Sequence, residues 1–224
     1  MDAVTRKQKI QSFCKKQKIE RLIHFTRIEN IPSILEYGLL DRITLESDDS
    51  GDICFFNDEK RLDFCENTVS LSISFPNYLM FFSYRIKFPQ AKWAVLVLKP
   101  DVLWEEDCIF CHTNAASSIS SKTSLAERRL PNAFERMFSN ERANRKELNI
   151  PDSYPTDPQA EVLVRDGISI KHLLELYVDD LPSLQFTPSK DRKRVKINAN
   201  KDSVKEYFTY RSDWEYWKKQ KETE

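Results

Sequence analysis

Residues 22–40 read LIHFTRIENIPSILEYGLL, and this stretch decides the fold class. Its first five residues, Leu22-Ile23-His24-Phe25-Thr26, have the apolar and β-branched character of a short strand. A helix follows within a few residues. Asn30 suits its N-cap, Pro32 its first turn and Gly38 the position just past its end, while Ile31, Ile34 and Leu35 recur at helical spacing. Further along, residues 69–75 alternate apolar residues with three serines, the pattern of a half-buried strand. Residues 93–98, WAVLVL, form a continuous apolar run that predicts a central strand. Shorter strands are expected at 108–111, 161–164, 176–178 and 194–197, the last at an edge because charges interleave with its apolar residues. Helices are expected at 78–85, 133–138 and 170–174, the second inside a long connection over 122–157. The order of elements predicts an α+β domain, a strongly bent mixed or antiparallel sheet with helices packed on it.

The chain has 224 residues, enough for one sizeable domain. Its division reads as a basic helix or arm over 1–19, with Ile10 and Phe13 on one face, a domain over 20–217 and a charged tail over 218–224. With 40% hydrophobic and 12% aromatic residues, disorder over the whole chain is excluded. A formal net charge of +0 excludes a general polyanion binder, although 6–27 and 190–196 are locally basic. Five cysteines, at 14, 54, 65, 108 and 111, form no regular framework and point to a reducing compartment. Cys108-Ile-Phe-Cys111 is a lone CxxC with His112 as the one nearby extra ligand, so core packing is expected rather than a metal or redox site. No apolar run is long enough to span a bilayer and no signal segment is seen, so the expected location is the cytoplasm.

Four segments carry groups capable of chemistry. His24 stands where a strand turns toward a helix and could donate to a ribose hydroxyl; taken alone, a His there is more often a satisfied strand-end residue. Gln159-Ala-Glu161 opens an apolar strand, so the Glu161 carboxylate can sit rigidly at the lip of a cleft, with Gln159 on the same side. Such a carboxylate could stabilise a cationic sugar or take a proton, and it could equally be an exposed strand-end Glu. Arg61, after Asn57-Asp-Glu-Lys60, could clamp a diphosphate or belong to a solvated charged loop. The serines of 70–74 share one face, and Tyr78 or Met80 beyond them could wall a flat ring.

In combination these segments resemble the ADP-ribosyltransferase plan, and residues 22–40 with 159–164 (QAEVLV) resemble the DarT-like, DNA-targeting branch over roughly residues 20–217, ending at Arg211-Ser-Asp-Trp214. The resemblance implies a split, bent sheet that holds NAD+ in a cleft, with no metal. It implies Glu161 as the catalytic glutamate and Arg61 as the supporting arginine, with Lys60 or Arg85 as alternative counterparts. His24, Phe25 (through its main chain) and Thr26 match NAD+-binding positions, with Tyr78 and Met80 at the nicotinamide. Residues 114–160 match the loop that presents the acceptor, so Asn114, Arg142, Arg145, Tyr154 and Gln159 are expected at the DNA. Residues 113–117, TNAAS, look more like the guanine-modifying branch than the thymidine-modifying one. Single-stranded DNA is the expected substrate, since a base within a duplex cannot present its edge to a cleft. A cognate antitoxin that removes ADP-ribose from DNA is the expected partner, and the chain is expected to be a monomer. A protein-modifying ADP-ribosyltransferase, an adaptor without chemistry and a purely structural domain are the competing readings.

Overall fold

A computed structural model describes residues 2–47, 65, 67–178, 180–197 and 207–223. Seven strands form one sheet: β1 (Leu22–Arg27), β2 (Thr68–Ile73), β3 (Trp93–Leu98), β4 (Cys108–Cys111), β5 (Glu161–Arg165), β6 (Leu173–Val178) and β7 (Val195–Ile197). Their spatial order is β4-β5-β2-β1-β3-β6-β7, antiparallel throughout except for the parallel β6–β7 edge. Helices α1 (Ala3–Lys16), α2 (Ile31–Tyr37), α3 (Arg42–Ser47), α4 (Tyr78–Lys87) and α5 (Val102–Glu105) precede β4. Four short helices fill the long connection before β5: α6 (Ser118–Ser121), α7 (Leu125–Arg128), α8 (Pro131–Arg136) and α9 (Arg145–Leu148); α10 (Trp214–Thr223) ends the chain.

β3, an inner strand between β1 and β6, is buried at every position. Ala94, Leu96 and Leu98 face an aliphatic core with Leu22, Leu71, Ile73 and Val162, covered by α1, α2, α5 and α8. Trp93, Val95 and Val97 face a second core of aromatics, Tyr78, Phe81, Tyr207 and Phe208, supplied by α4 and the C-terminal segment. A strand covered on both faces needs a continuous apolar run, and WAVLVL supplies one. α1 is a helix docked in the first core: Ile10 and Cys14 are buried, and Phe13 meets Phe134 and Phe138 edge-on at 5.2 and 5.4 Å.

Three sequence expectations change. Residues 170–174 are not a helix: a 3-10 turn at Ile170–His172 leads straight into β6, where Leu173 pairs with Leu98. The connection over 122–157 holds three short helices, not one, the first begun by a Ser124–Glu127 capping box. Asn30 does not cap α2 with its side chain; its Nδ2 donates instead to Thr26 Oγ1 at 2.9 Å, tying the helix start to β1. Gly38 does end α2, at φ +88°, and it also lets the 166–170 turn approach, since a Cβ there would stand 2.4 Å from the Ile168 carbonyl oxygen.

Candidate active site

Strand β1 is held differently on its two sides. It pairs with β3 over six residue pairs but with β2 over only two, Leu22↔Ile73 and Ile23↔Ser72. Beyond Ile23 the two strands part, and the imidazole of His24 fills the place of the missing ladder. Its Nδ1 lies 3.0 Å from the Ser70 carbonyl oxygen. A carbonyl only accepts, so Nδ1 carries the proton and Nε2 of the neutral ring is an acceptor. Burial lowers the His24 pKa and favours that neutral form, with the Ser70 hydrogen bond opposing. In this tautomer Nε2 can only accept, so a ribose hydroxyl meeting it would be the donor.

Glu161 opens β5 and is 6% exposed. Its strand pairs with β4 on one side, Glu161 opposite Cys111, and with β2 on the other, Val162 opposite Leu71. One step further along that register is the level of Ser72, which itself pairs with Ile23. Glu161 and His24 thus stand near the point where the sheet splits, about two strand spacings or roughly 10 Å apart. Glu161 Oε2 also accepts from the Ala115 backbone N–H at 3.4 Å, so the 112–117 turn leans on this carboxylate.

The approach to Glu161 is pinned by buried ions. Asp157, 1% exposed, accepts from Arg142 Nε at 3.1 Å and from the Gln159 N–H at 2.8 Å. Arg211, ion-paired with Asp213, donates to the carbonyls of Pro155 and Thr156, each at 2.9 Å, and Trp217 Nε1 donates to Asp213 at 2.9 Å. Arg145 donates to the Tyr154 carbonyl, Thr156 Oγ1 and the Pro151 and Asp152 carbonyls. Arg142 and Arg145, both expected at DNA, therefore brace the 151–157 segment. Asn114 spends its side-chain oxygen on the Ala116 N–H at 2.9 Å. Tyr154 lies against Phe75, ring centroids 5.6 Å apart, and Gln159 is half-buried beside Glu161.

Of the other expected residues, Thr26 is buried, and Phe25 stacks its ring on Phe81 at 4.6 Å. Only the main chain of Phe25 is then suited to a ligand. Tyr78 is buried at the start of α4; its hydroxyl has no partner among the described residues. Burial, then Asp213, push its pKa up. Met80 is half-buried two residues on, its N–H capped by Asn77 at 3.2 Å. Arg61 and Lys60 lie outside the described residues, as does Cys54. Arg85, the other alternative, lies over Phe81, Phe82 and Phe208 in the second core.

Sequence reading missed Asp157 and the Arg211–Asp213 pair as a brace, and it weighed His112, buried directly after Cys111, only as a metal ligand. Burial, with Arg136 next, lowers the His112 pKa. The Arg-Ser-Asp-Trp motif was a visible signal for the brace, whereas Asp157 had none. The two cysteines of the CxxC face opposite sides of β4: Cys108 is in the aliphatic core and Cys111 packs with Cys65 and Leu163. They cannot grip one ion from those positions. Among the described residues, one other group has metal-ligand spacing, Asp101, Glu105 and His172, and there His172 is already bonded to Asp101 at 2.8 Å and Glu106 at 3.2 Å. No described helix is long and apolar enough to cross a membrane.

Comparison with curated proteins returned no relative. Among solved structures, Thermosipho africanus DarTG in complex with ADP-ribose matches with a TM-score of 0.52 at 17% identity, over 80% of this chain and 49% of that one. The chain thus spans about half the length of that protein. Thermus sp. 2.9 DarT in complex with ADP-ribosylated ssDNA matches at 17% identity with a TM-score of 0.48, over 85% of this chain and 97% of that one. The same DarT in complex with NAD+ matches at 17% identity with a TM-score of 0.47, over 85% and 98%. A family model described as ssDNA thymidine ADP-ribosyltransferase, DarT, matches residues 23–185, from the strand that carries His24 to beyond the strand that Glu161 opens. With most of its length inside that match, and with an α+β split sheet of the same plan, the chain belongs to the DarT family of ADP-ribosyltransferases.

Proposed function

We propose that this protein transfers ADP-ribose from NAD+ to a base of single-stranded DNA. The reading is supported by the seam where β1 and β2 part, bridged by the His24 ring, and by the buried Glu161 that opens β5 two strands away. NAD+ lies across the split. His24 Nε2 accepts from a hydroxyl of the adenosine-side ribose, Thr26 and the Phe25 main chain line the same strand, and Tyr78 and Met80 wall the nicotinamide. Arg61 neutralises the diphosphate.

The bond between nicotinamide and the ribose C1′ breaks first, and its electron pair leaves with nicotinamide. Positive charge develops on the ribose. Glu161 accepts from the ribose 2′-hydroxyl and stabilises that charge, in a place where burial strengthens electrostatics. A base nitrogen then attacks C1′ from the opposite face, and its surplus proton passes to Glu161 or to a water beside it. Holding the two partners in line supplies much of the rate. No step requires a metal. The segment over 114–160, braced by Arg142, Arg145 and Arg211, presents the base, with Asn114, Tyr154 and Gln159 nearest to it.

Guanine is the proposed target, on the TNAAS segment; the description of the matched family favours thymidine as a second reading. Unchecked DNA modification is toxic, so the protein acts as the toxin of a pair whose antitoxin removes ADP-ribose from DNA. The test uses NAD+ and short oligonucleotides, single- and double-stranded, read by intact mass. A gain of one ADP-ribose on single strands is expected, and substitution of one base at a time names the target. Mass gain on protein substrates alone would move the acceptor to protein, and no consumption of NAD+ would leave a binding site without chemistry.

A further inference from the structure

One face of the β4–β5 pair carries Ile109, Cys111 and Leu163, with Cys65 and Ala115 packed against them. Glu161 stands directly opposite Cys111 in the antiparallel register. Partners in such a register point to the same face, with Cβ atoms about 4.5–5.5 Å apart. A third group reaches this face from the end of α7. Arg128 is 8% exposed, and its Nη1 donates to Cys111 Sγ at 3.4 Å. Among the described residues its guanidinium makes no ion pair, and its Nε has no hydrogen-bond partner.

An arginine side chain stays charged in proteins, and a buried charge needs an opposite charge nearby. Cys111 does not provide one. Burial pushes its thiol up to about 12, against the pull of Arg128, so near pH 7 it is neutral and accepts the guanidinium hydrogen bond as a thiol. The carboxylate beside that thiol is Glu161. Burial disfavours a charged carboxylate, and a cation close by restores it. Each of the two charges thus has the other as its remedy, with one sulfur atom between them.

We propose that Arg128 is a positioning residue for the transfer: across the Cys111 thiol, its charge holds Glu161 as a carboxylate ready to accept from the ribose 2′-hydroxyl. The inference rests on the role of Glu161 in the proposed function. The other titratable groups around Glu161 are otherwise engaged or neutral. Asp157, on the approach, is ion-paired with Arg142. His112, beyond β4, has its pKa lowered by burial, and so has His24 on β1, which bridges to Ser70. Cys65 is a buried free thiol. Arg61, placed at the diphosphate in the proposed function, lies outside the described residues.

The test is the pH profile of kcat/KM for ADP-ribose transfer to a single-stranded oligonucleotide, whose acidic limb reports the base form of the free enzyme. Arg128→Met moves that limb up by about one pH unit, roughly tenfold in rate on the limb, and the rate climbs back toward wild type at higher pH. Arg128→Lys, which keeps the charge, keeps the limb near its wild-type position. Should Arg128→Met fail to fold, Arg128→Gln retains a donor for the thiol and drops the charge, with the same expectation. Combined with Glu161→Gln, either neutral variant adds little further loss, because the group it acts through is gone. A neutral variant that lowers transfer by one factor at every pH, or whose profile superposes on wild type, overturns the inference and leaves the proposed function standing. A loss as large in the Glu161→Gln background as in wild type also overturns it. Transfer undiminished by Glu161→Gln overturns the role of Glu161 itself, and this inference with it.

Discussion

The two sides of β1 were built for different tasks. Toward β3 it is laddered over its whole length, and the pair is sealed between two cores. Toward β2 it is laddered over two residues, after which a side chain, His24, takes over from the backbone. An open seam in a sheet leaves strand edges unsatisfied and would be a liability if the strand itself were loosely held. The closed side keeps β1 in place, and in the proposed function the open side takes the ligand. The proposed function thereby puts stability and chemistry on opposite edges of one strand.

Substitutions can break or sharpen that contrast. The largest effect on stability is expected from Arg211→Ala, which strands buried Asp213 and frees the carbonyls of Pro155 and Thr156. Removing one partner of a buried pair costs about 3–5 kcal/mol, which urea unfolding would register as a lower midpoint. On the closed side, Leu96→Ala should cost about 2–5 kcal/mol while NAD+ binding at saturating protein stability is retained. If Leu96→Ala instead abolished NAD+ binding at temperatures where it remains folded, the separation of the two sides would fail.

On the open side, Glu161→Gln should reduce ADP-ribose transfer by about 10²–10³-fold, the scale of a lost electrostatic stabiliser, with the unfolding midpoint little changed. A Glu161→Gln protein with undiminished transfer would place the chemistry elsewhere. The smallest effect concerns His24. Its folded pKa is lowered, so the unfolded chain binds the more protons near pH 6 and stability rises with pH there. The contribution is complete above the unfolded value near 6.5 and is lost as pH falls from there toward the lowered folded value. Its slope is at most about 1.4 kcal/mol per pH unit. His24→Gln should flatten that part of the pH–stability profile, leaving the residual slope of His112, whose pKa is also lowered.

The legible parts of the molecule were those where local pattern and burial agree. β3 was read from six consecutive apolar residues, α2 from its helical spacing and terminal glycine, and β2 from its alternation. The 170–174 segment misled because its apolar spacing suits a helix, while the pairing of Leu173 with Leu98 is a non-local contact that no window of sequence displays. The intramolecular bonds of Arg142 and Arg145 were illegible for a related reason. A guanidinium in a polar connection reads as a free cation, yet both are engaged by residues up to fifteen positions away, and only the folded loop shows which acceptors they meet.

By itself the sequence determined the kinds of element, the burial of β3 on both faces and the family resemblance carried by residues 22–40 and 159–164, because each depends on residues close together in the chain. The tertiary structure alone decided that β1 and β2 part after two pairs and that His24 closes the gap as an Nδ1–H donor. It also decided that a C-terminal arginine fixes the approach to Glu161. Those features depend on backbone carbonyls and registers supplied by distant segments, and a carbonyl carries no mark in the sequence of what it will accept.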